Sequence, residues 1–232
     1  MQLGGYQNIV LLTGAGISVG AGLPTYRGPG GLWSDPKLAE LSNATALQTR
    51  RREVTNMFWG FRSALAGVTP TVAHRALAAF EERLPAGARM TIITQNIDGL
   101  HQAASSRDVC EYHGSLVNWR CDECGHTESP PAGDAPEHCN ERMRPCVVMF
   151  GEMIPVDAER TAKQALRDCD LFVAIGTSGT VMPAANFVQW AQLNNARRIL
   201  INLEIFDGAR AQFTECYAGP ADEVVPRVFA TE

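Results

Sequence analysis

The chemistry legible in this chain concentrates in one histidine, one group of amides and a carboxylate, and one run of cysteines. His113 stands in the stretch EYHGS, at the end of a short β-type run and directly before a glycine. An imidazole titrates near neutral pH without much tuning, so this placement suits a general base, against the plainer reading of a structural histidine. TQNIDGLH, residues 94–101, sets Gln95, Asn96 and Asp98 behind an apolar run. At a strand's carboxyl end these side chains could bind a carboxamide, or Asn and Asp could simply cap a helix. Cys121 and Cys124 form a C-x2-C half of a structural zinc site. Such a site needs four thiolate or imidazole ligands in a tetrahedron. The second half is irregular: Cys139 and Cys146 follow, Pro136 occupies the position of a C-x2-C partner to Cys139, and either Cys146 or His138 is the fourth ligand or the site is defective.

Two glycine-rich turns accompany these residues. TGAGISVGAGLPTYRG, residues 13–28, follows the apolar run Ile9–Leu12 and carries Gly14, Gly16 and Gly20. Tight glycine turns let a phosphate approach the backbone, and helix N-terminal amides supply donors. The hydride-carrier fingerprint G-x-G-x-x-G fails here, because Val19 stands at its last glycine. Its acidic ribose reader fails too: Asp35 lies in WSDPK, which is no strand end. Arg27 could neutralise a phosphate. A second turn, GTSGTVMP at 176–183, suits phosphate as well, and NLE at 202–204 offers Asn202 and Glu204 to a ribose diol. Together these features predict a dinucleotide site.

The elements that must hold these residues follow a β/α rhythm. Strands are expected at Ile9–Thr13, Met90–Thr94, Val109–Tyr112, Leu171–Ile175 and Ile199–Leu203, mostly continuous apolar runs of the kind buried on both faces of a parallel sheet. Thr69 and Pro70 read as the N-cap and first residue of a helix through Ala73, Leu77 and Phe80, and Pro183 reads likewise for a helix carrying Phe187 and Trp190. His74 fits the first of these helices, and His101 packs near the turn. The fold class expected is α/β, a doubly wound Rossmann-like parallel sheet. Residues 1–30, 68–117 and 149–232 make the sheet unit; a helical insertion, 31–67, and a cysteine-rich insertion, 118–148, form a smaller lobe. A cleft between the two is the expected ligand site.

The 232-residue chain is 45% hydrophobic and carries a net charge of −5, which gives no footprint for nucleic acid and no apolar run of membrane-spanning length. Arg50–Arg52 reads as a solvated helix face. Seven cysteines are an odd count for a disulfide framework, and the N-terminus leaves no room for a leader before the first strand, so the expected location is cytoplasmic.

Taken in order, GAGIS…GLPTYRG, GLW, TQNIDGLH, YHGS, C-x2-C, RPCVVMFGE, GTSGTVMPAANF, INLE and GPADEVVP resemble the sirtuin family of NAD-dependent protein lysine deacylases along nearly the whole chain. The resemblance implies that NAD is consumed rather than used as a hydride carrier. It implies NAD contacts at Gly14, Ala15, Gly16, Ser18, Arg27, Trp33, Gln95, Asn96, Asp98, Gly176, Thr177, Ser178, Asn202, Glu204 and Ala221. His113 and Asn96 become the catalytic pair: the acyl oxygen of a modified lysine attacks the ribose and expels nicotinamide, and His113 acts as base toward the ribose hydroxyls. Val148, Phe150, Gly151 and Glu152 would meet an extended acyl-lysine peptide, and one zinc ion would be structural. Relatives that prefer succinyl, malonyl or glutaryl groups carry Tyr-x-x-Arg in the helical insertion. Aligned here, Arg62 is kept and Trp59 replaces the tyrosine, which leaves the acyl preference open. An ADP-ribosyltransferase and a non-catalytic NAD-binding module are the alternative readings.

Overall fold

A computed structural model describes residues 3, 5–28 and 30–230. Six parallel strands form the main sheet: β1 (Asn8–Thr13), β2 (Arg89–Thr94), β3 (Val109–Glu111), β9 (Leu171–Ile175), β10 (Arg197–Asn202) and β11 (Glu215–Ala218). Their order is β11-β10-β9-β1-β2-β3. The chain therefore winds outward in one direction from β1 and in the other from β9. Between those two strands lies the crevice where doubly wound sheets bind ligands.

Alternation along each strand feeds two cores. Ile9 and Leu11 pack on one face, with Leu77 and Phe80 of α4 (Val72–Glu82) and Val224, Val225 and Val228 of α9 (Ala221–Val228). Val10 and Leu12 pack on the other, against Ala162 and Leu166 of α6 (Val156–Arg167) and Phe187 and Val188 of α7 (Phe187–Leu193). The strands expected from sequence fall within a residue or two of their places, but β11 was not expected. Three of its four residues are half-buried and Ala218 is exposed, at a sheet edge with no apolar run.

Two helix starts differ from expectation. α4 begins after Thr71, not at Pro70, because the Thr71 hydroxyl accepts from the His74 amide while His74 Nδ1 accepts from the Thr71 amide. That reciprocal cap satisfies two amides that the Thr69–Pro70 start would leave open. Pro183 caps a 3-10 turn, Ala184–Asn186, and α7 starts only after it.

A third apolar cluster builds the second lobe. It joins Leu41 of α1 (Pro36–Leu41), Leu47 of α2 (Ala44–Thr49) and Val54 and Phe58 of α3 (Arg51–Ala64) to Leu116 and Trp119 of β4 (Gly114–Arg120) and Val147 of β8 (Arg144–Val147). β4 pairs antiparallel with β8 and with the short β5 (Thr127–Glu128). β6 (Glu137–His138) and β7 (Glu141–Arg142) form a separate hairpin. Arg51 is not a solvated residue of this helix. Its guanidinium donates to the Arg142 carbonyl at 3.0 Å and to Asp122 at 2.9 Å, tying the helical and cysteine-rich insertions together. Asp35 caps α1 by accepting from the Lys37 amide, as its place outside any strand end requires. The short helices α5 (Leu100–Ala103) and α8 (Ala209–Gln212) complete the fold. No described helix is long and apolar enough to cross a membrane.

Candidate active site

The carboxyl ends of β1 and β9 are joined by backbone bonds, with the Gly14 amide donating to the Ile175 carbonyl at 3.0 Å and the Gly16 amide to Gly176 at 2.9 Å. A Cβ on Gly14 would sit 2.7 Å from the Gly176 carbonyl oxygen, and one on Gly16 would sit 2.6 Å from the Gly176 Cα. These glycines let the two turns touch each other. That contact gives Gly14 and Gly16 a packing role besides phosphate access. Gly20 has its own reason, since a Cβ there would collide with the Asp222 carboxylate.

Over this junction opens a cleft of about 990 Å³. Its walls include Gly14, Ala15, Gly16, Arg27 and Trp33 from the first turn and its sequel, and Gln95, Asn96 and His113 from the ends of β2 and β3. Gly176, Thr177 and Ser178 after β9, Asn202 and Glu204 after β10, and Ala221 at the start of α9 line it too. Val148, Phe150, Gly151 and Glu152 close the lobe side. Ser18 and Asp98 stand behind this wall. The Ser18 hydroxyl donates to Asp98 at 2.7 Å, Asp98 also accepts from the Leu100 amide, and Asn96 Nδ2 donates to the Gly14 carbonyl and to Ser18 Oγ at 3.2 Å each. The network fixes the Asn96 amide so that Oδ1 is buried with no partner in the protein. A buried acceptor without a donor carries a desolvation penalty that a ligand donor removes. With the cleft's size and its ring of hydroxyl, amide and carboxylate groups, that orphan oxygen fits a nucleotide ligand.

His113 is held at the same wall. Its Nδ1 lies 3.2 Å from the Gln95 carbonyl oxygen, which can only accept, so Nδ1 carries the hydrogen and Nε2 is the basic atom. Burial pushes its pKa below the usual 6.5, and the bond to Gln95 opposes that in part. The glycine after it is forced: Gly114 has φ +79°, and a Cβ there would overlap the Cys146 carbonyl oxygen. The Val148 amide donates to the His113 carbonyl at 2.9 Å, so the base and the lobe-side loop share one backbone anchor.

That loop has a buried ionic support the sequence did not reveal. Arg144, 3% exposed, donates to both Glu152 oxygens, at 2.5 and 2.9 Å, and to the Val147 carbonyl at 2.7 Å. Burial alone would raise the Glu152 pKa, but Arg144 and the Met149 amide hold it below its usual value. Glu152 thus shapes the cleft as half of an ion pair. Beneath the first turn, His101 Nε2 lies 2.9 Å from Thr13 Oγ1, and its ring packs edge-on against His74 with centroids 4.6 Å apart. Burial holds both imidazoles neutral, His74 near pKa 4.

Trp59 and Arg62 do not reach the cleft. Trp59 Nε1 donates to the Gly133 carbonyl at 2.8 Å, the Arg62 guanidinium donates to the Pro130 carbonyl, and it stacks over the indole at 5.6 Å. Both cover the cysteine-rich insertion. α3 instead turns Phe58 and Phe61 to the cleft wall, and the sequence analysis missed both.

In the insertion, Cys121, Cys124, His138 and Cys139 place their ligand atoms within 4.8 Å of one another. His138 Nδ1 is 3.3 Å from Cys124 Sγ and 3.2 Å from Cys139 Sγ. A zinc ion bound at ordinary Zn–S and Zn–N lengths has tetrahedral edges of about 3.5 Å, so this donor set fits zinc. Hydrogen bonds from the backbone at Cys124 draw the Cys121 thiol down to about 7. Cys146 is not in the group. Strand pairing places it on β8 opposite Ser115, with its thiol pushed up by burial. The missing C-x2-C half is replaced by a two-residue hairpin: Cys139 and Asn140 both have positive φ, 52° and 62°, and they turn adjacent His138 and Cys139 toward the same point.

Comparison with known proteins agrees with this geometry. A profile of the Sir2 family matches residues 14–183. An Aquifex aeolicus protein named NAD-dependent protein deacylase is 41% identical over 203 residues, covering 85% of this chain and 84% of its own. A solved complex of a Sir2 homologue with NAD superposes with a TM-score of 0.86 at 33% identity, covering 97% of this chain and 89% of that one. A Sir2 structure holding a deacetylated p53 peptide and 3′-O-acetyl ADP-ribose gives 0.83 at 30% identity, over 97% and 93% of the two chains. With a family match over most of its length, relatives of this identity and a glycine-paired cleft holding His113 and Asn96, the chain belongs to the Sir2 family.

Proposed function

We propose that the chain is an NAD-dependent protein lysine deacylase, with His113 as general base and Asn96 as the residue that orients the nicotinamide ribose. The observation that carries this reading is the pairing of a neutral, Nε2-basic His113 with the unpartnered Asn96 oxygen in one cleft wall. NAD supplies an electrophilic anomeric carbon with nicotinamide as its leaving group. Gly14, Ala15, Gly16, Arg27, Thr177 and Ser178 would hold the diphosphate, and Asn202, Glu204 and Ala221 the adenosine end. Gln95, Asn96 and Trp33 would enclose the reacting ribose. Ser18 and Asp98 act through Asn96 by fixing its amide. His113 Nε2 takes a proton from a ribose hydroxyl, activating it toward the transferred acyl group. The acylated peptide adds at the loop of Val148, Phe150 and Gly151, where backbone hydrogen bonds give affinity with little sequence preference. The sheet unit and the lobe of residues 31–67 and 118–148 then act as the two jaws of one catalytic unit.

Cys121, Cys124, His138 and Cys139 would hold zinc away from the reaction, as a tie within the lobe. Protein substrates in the cytoplasm are the partners this reading assigns. An ADP-ribosyltransferase would have less use for a positioned base.

The test is nicotinamide release from NAD with an acetyl-lysine peptide. Release should depend on the acyl group, and His113→Ala should lower turnover by at least about 100-fold, within the usual weight of a general base. Release that ignores the peptide, or survives the substitution, would remove the deacylase mechanism.

A further inference from the structure

Residues 147–152 form the lobe-side rim of the cleft, and their backbone is bonded from several sides. The Val148 amide donates to the His113 carbonyl, and Phe150 donates to the Ser42 carbonyl and accepts from the Ala44 amide. The Glu152 amide donates back to the Met149 carbonyl across a turn whose third residue, Gly151, has φ +88°. Two further rim groups are taken by one ion pair. The Val147 carbonyl accepts from Arg144 Nη2 at 2.7 Å, and the Met149 amide donates to Glu152 Oε2 at 2.9 Å. Arg144 itself holds both Glu152 oxygens, at 2.5 and 2.9 Å, and donates from Nε to the Pro145 carbonyl at 3.3 Å. Among the described residues nothing donates to the Val148 carbonyl.

Side chains alternate along this rim. Val147 and Met149 are buried, Val148 is half-buried and Phe150 is exposed. With a period of two, a slip of one residue would turn Val148 inward and carry its free carbonyl out of the cleft wall. The ion pair opposes that slip, because it joins residues on either side of the stretch and bonds to Val147 and Met149 between them. Stability is a poor account of such a pair. Desolvating two charges costs about what their attraction returns, and apolar substitutes commonly match it. What apolar substitutes lack is a fixed set of donors and acceptors.

Resting on the deacylase reading, we propose that Arg144 and Glu152 are positioning residues for the acylated peptide: their ion pair holds the rim in the register that leaves the Val148 carbonyl and the Phe150 side chain for the peptide strand. The His113 ring is held separately by the Gln95 carbonyl, and the two glycine turns are held by each other. Loosening the rim therefore costs peptide affinity and spares both the NAD side of the cleft and the base.

The experiment uses Arg144→Lys, which keeps the charge but replaces a planar fork by a point contact. In nicotinamide release with an acetyl-lysine peptide, the peptide KM should rise at least about tenfold, the worth of a lost charged hydrogen bond, with kcat within about threefold of the parent. ADP-ribose affinity by calorimetry and the pH midpoint of kcat should stay where they were. A merely structural role predicts another pattern, since a smaller folded fraction lowers kcat and leaves the peptide KM alone. That pattern, an ADP-ribose affinity that falls in parallel, or no change at all would overturn the positioning role and leave the deacylase reading standing. A wild-type protein that releases no nicotinamide with any acyl peptide would overturn the deacylase reading, and the positioning role with it. Should Arg144→Lys fail to fold, seen as a lost thermal transition, amide exchange in the wild-type protein decides. The Met149 amide should be protected before any peptide is added, and free exchange there would overturn the proposal.

Discussion

At His113, one hydrogen bond and partial burial decide the working state of the base. The Gln95 carbonyl fixes the hydrogen on Nδ1, and burial keeps the imidazole neutral by moving its pKa below 6.5. The active form is the deprotonated one, so a lowered pKa extends activity toward acid. The acid limb of the free-enzyme kcat/KM profile should therefore have its midpoint below pH 6.5, falling tenfold per unit beneath it. A pH–rate profile with its midpoint above 7 would show that another group controls the base. His113 and Asn96 were legible in sequence because each lies two residues past the end of a parallel strand, where the fold leaves little choice of direction. Trp59 and Arg62 were not, because a helix places neighbouring stripes only about 100° apart and spacing alone does not fix its rotation. The packing of Trp119 against Trp59, centroids 5.2 Å apart, is what fixes it here.

The β6–β7 hairpin makes the same point for an element. C-x2-C announced the first half of the cysteine site, but a ligand pair made from adjacent residues at a two-residue turn has no standard spacing, and Cys146 looked equally available. The left-handed backbone at Cys139 and Asn140 decides for His138. Four short strands carry this insertion, two residues each in β5, β6 and β7, too little ladder to stand alone. Metal binding should supply what the ladder lacks. Metal analysis should give about one zinc per chain, and chelation should lower the melting temperature and release the metal in step with lost activity. His138→Cys should keep zinc; His138→Ala should weaken it. A zinc-free protein with an unchanged melting temperature would show that Arg51, bridging to Asp122 and Arg142, holds the lobe by itself.

Across the whole molecule, the doubly wound sheet was legible because five of its strands are short apolar runs followed by turn residues. β11 and the three-stranded lobe sheet were not: β11 has no fully buried residue, and in both the pairing is set by tertiary contact rather than by local pattern. Burial also writes a pH dependence into global stability. His74, 0% exposed, has its pKa lowered to about 4 by burial, and His101 is shifted in the same direction by burial and by His74. The unfolded chain takes protons on both near pH 6.5, whereas the folded chain does not, so between pH 6.5 and 4 the unfolded state binds more protons and stability falls as pH falls. Each unit in that window is worth up to about 1.4 kcal/mol per imidazole, which brings the loss at pH 5 to about 2 kcal/mol for His74 alone. The depressed carboxylates Glu152 and Glu159 start from 4.5 and act below most of this window. Urea midpoints at pH 7.5 and 5.0 should therefore differ clearly, with the acid sample less stable, and His101→Gln should flatten the dependence whatever its own stability. Equal midpoints at the two pH values would mean that water or protons reach this pair in the folded state, and that the turn carrying Gly14 and Gly16 rests on a looser base than the buried contact with Thr13 implies.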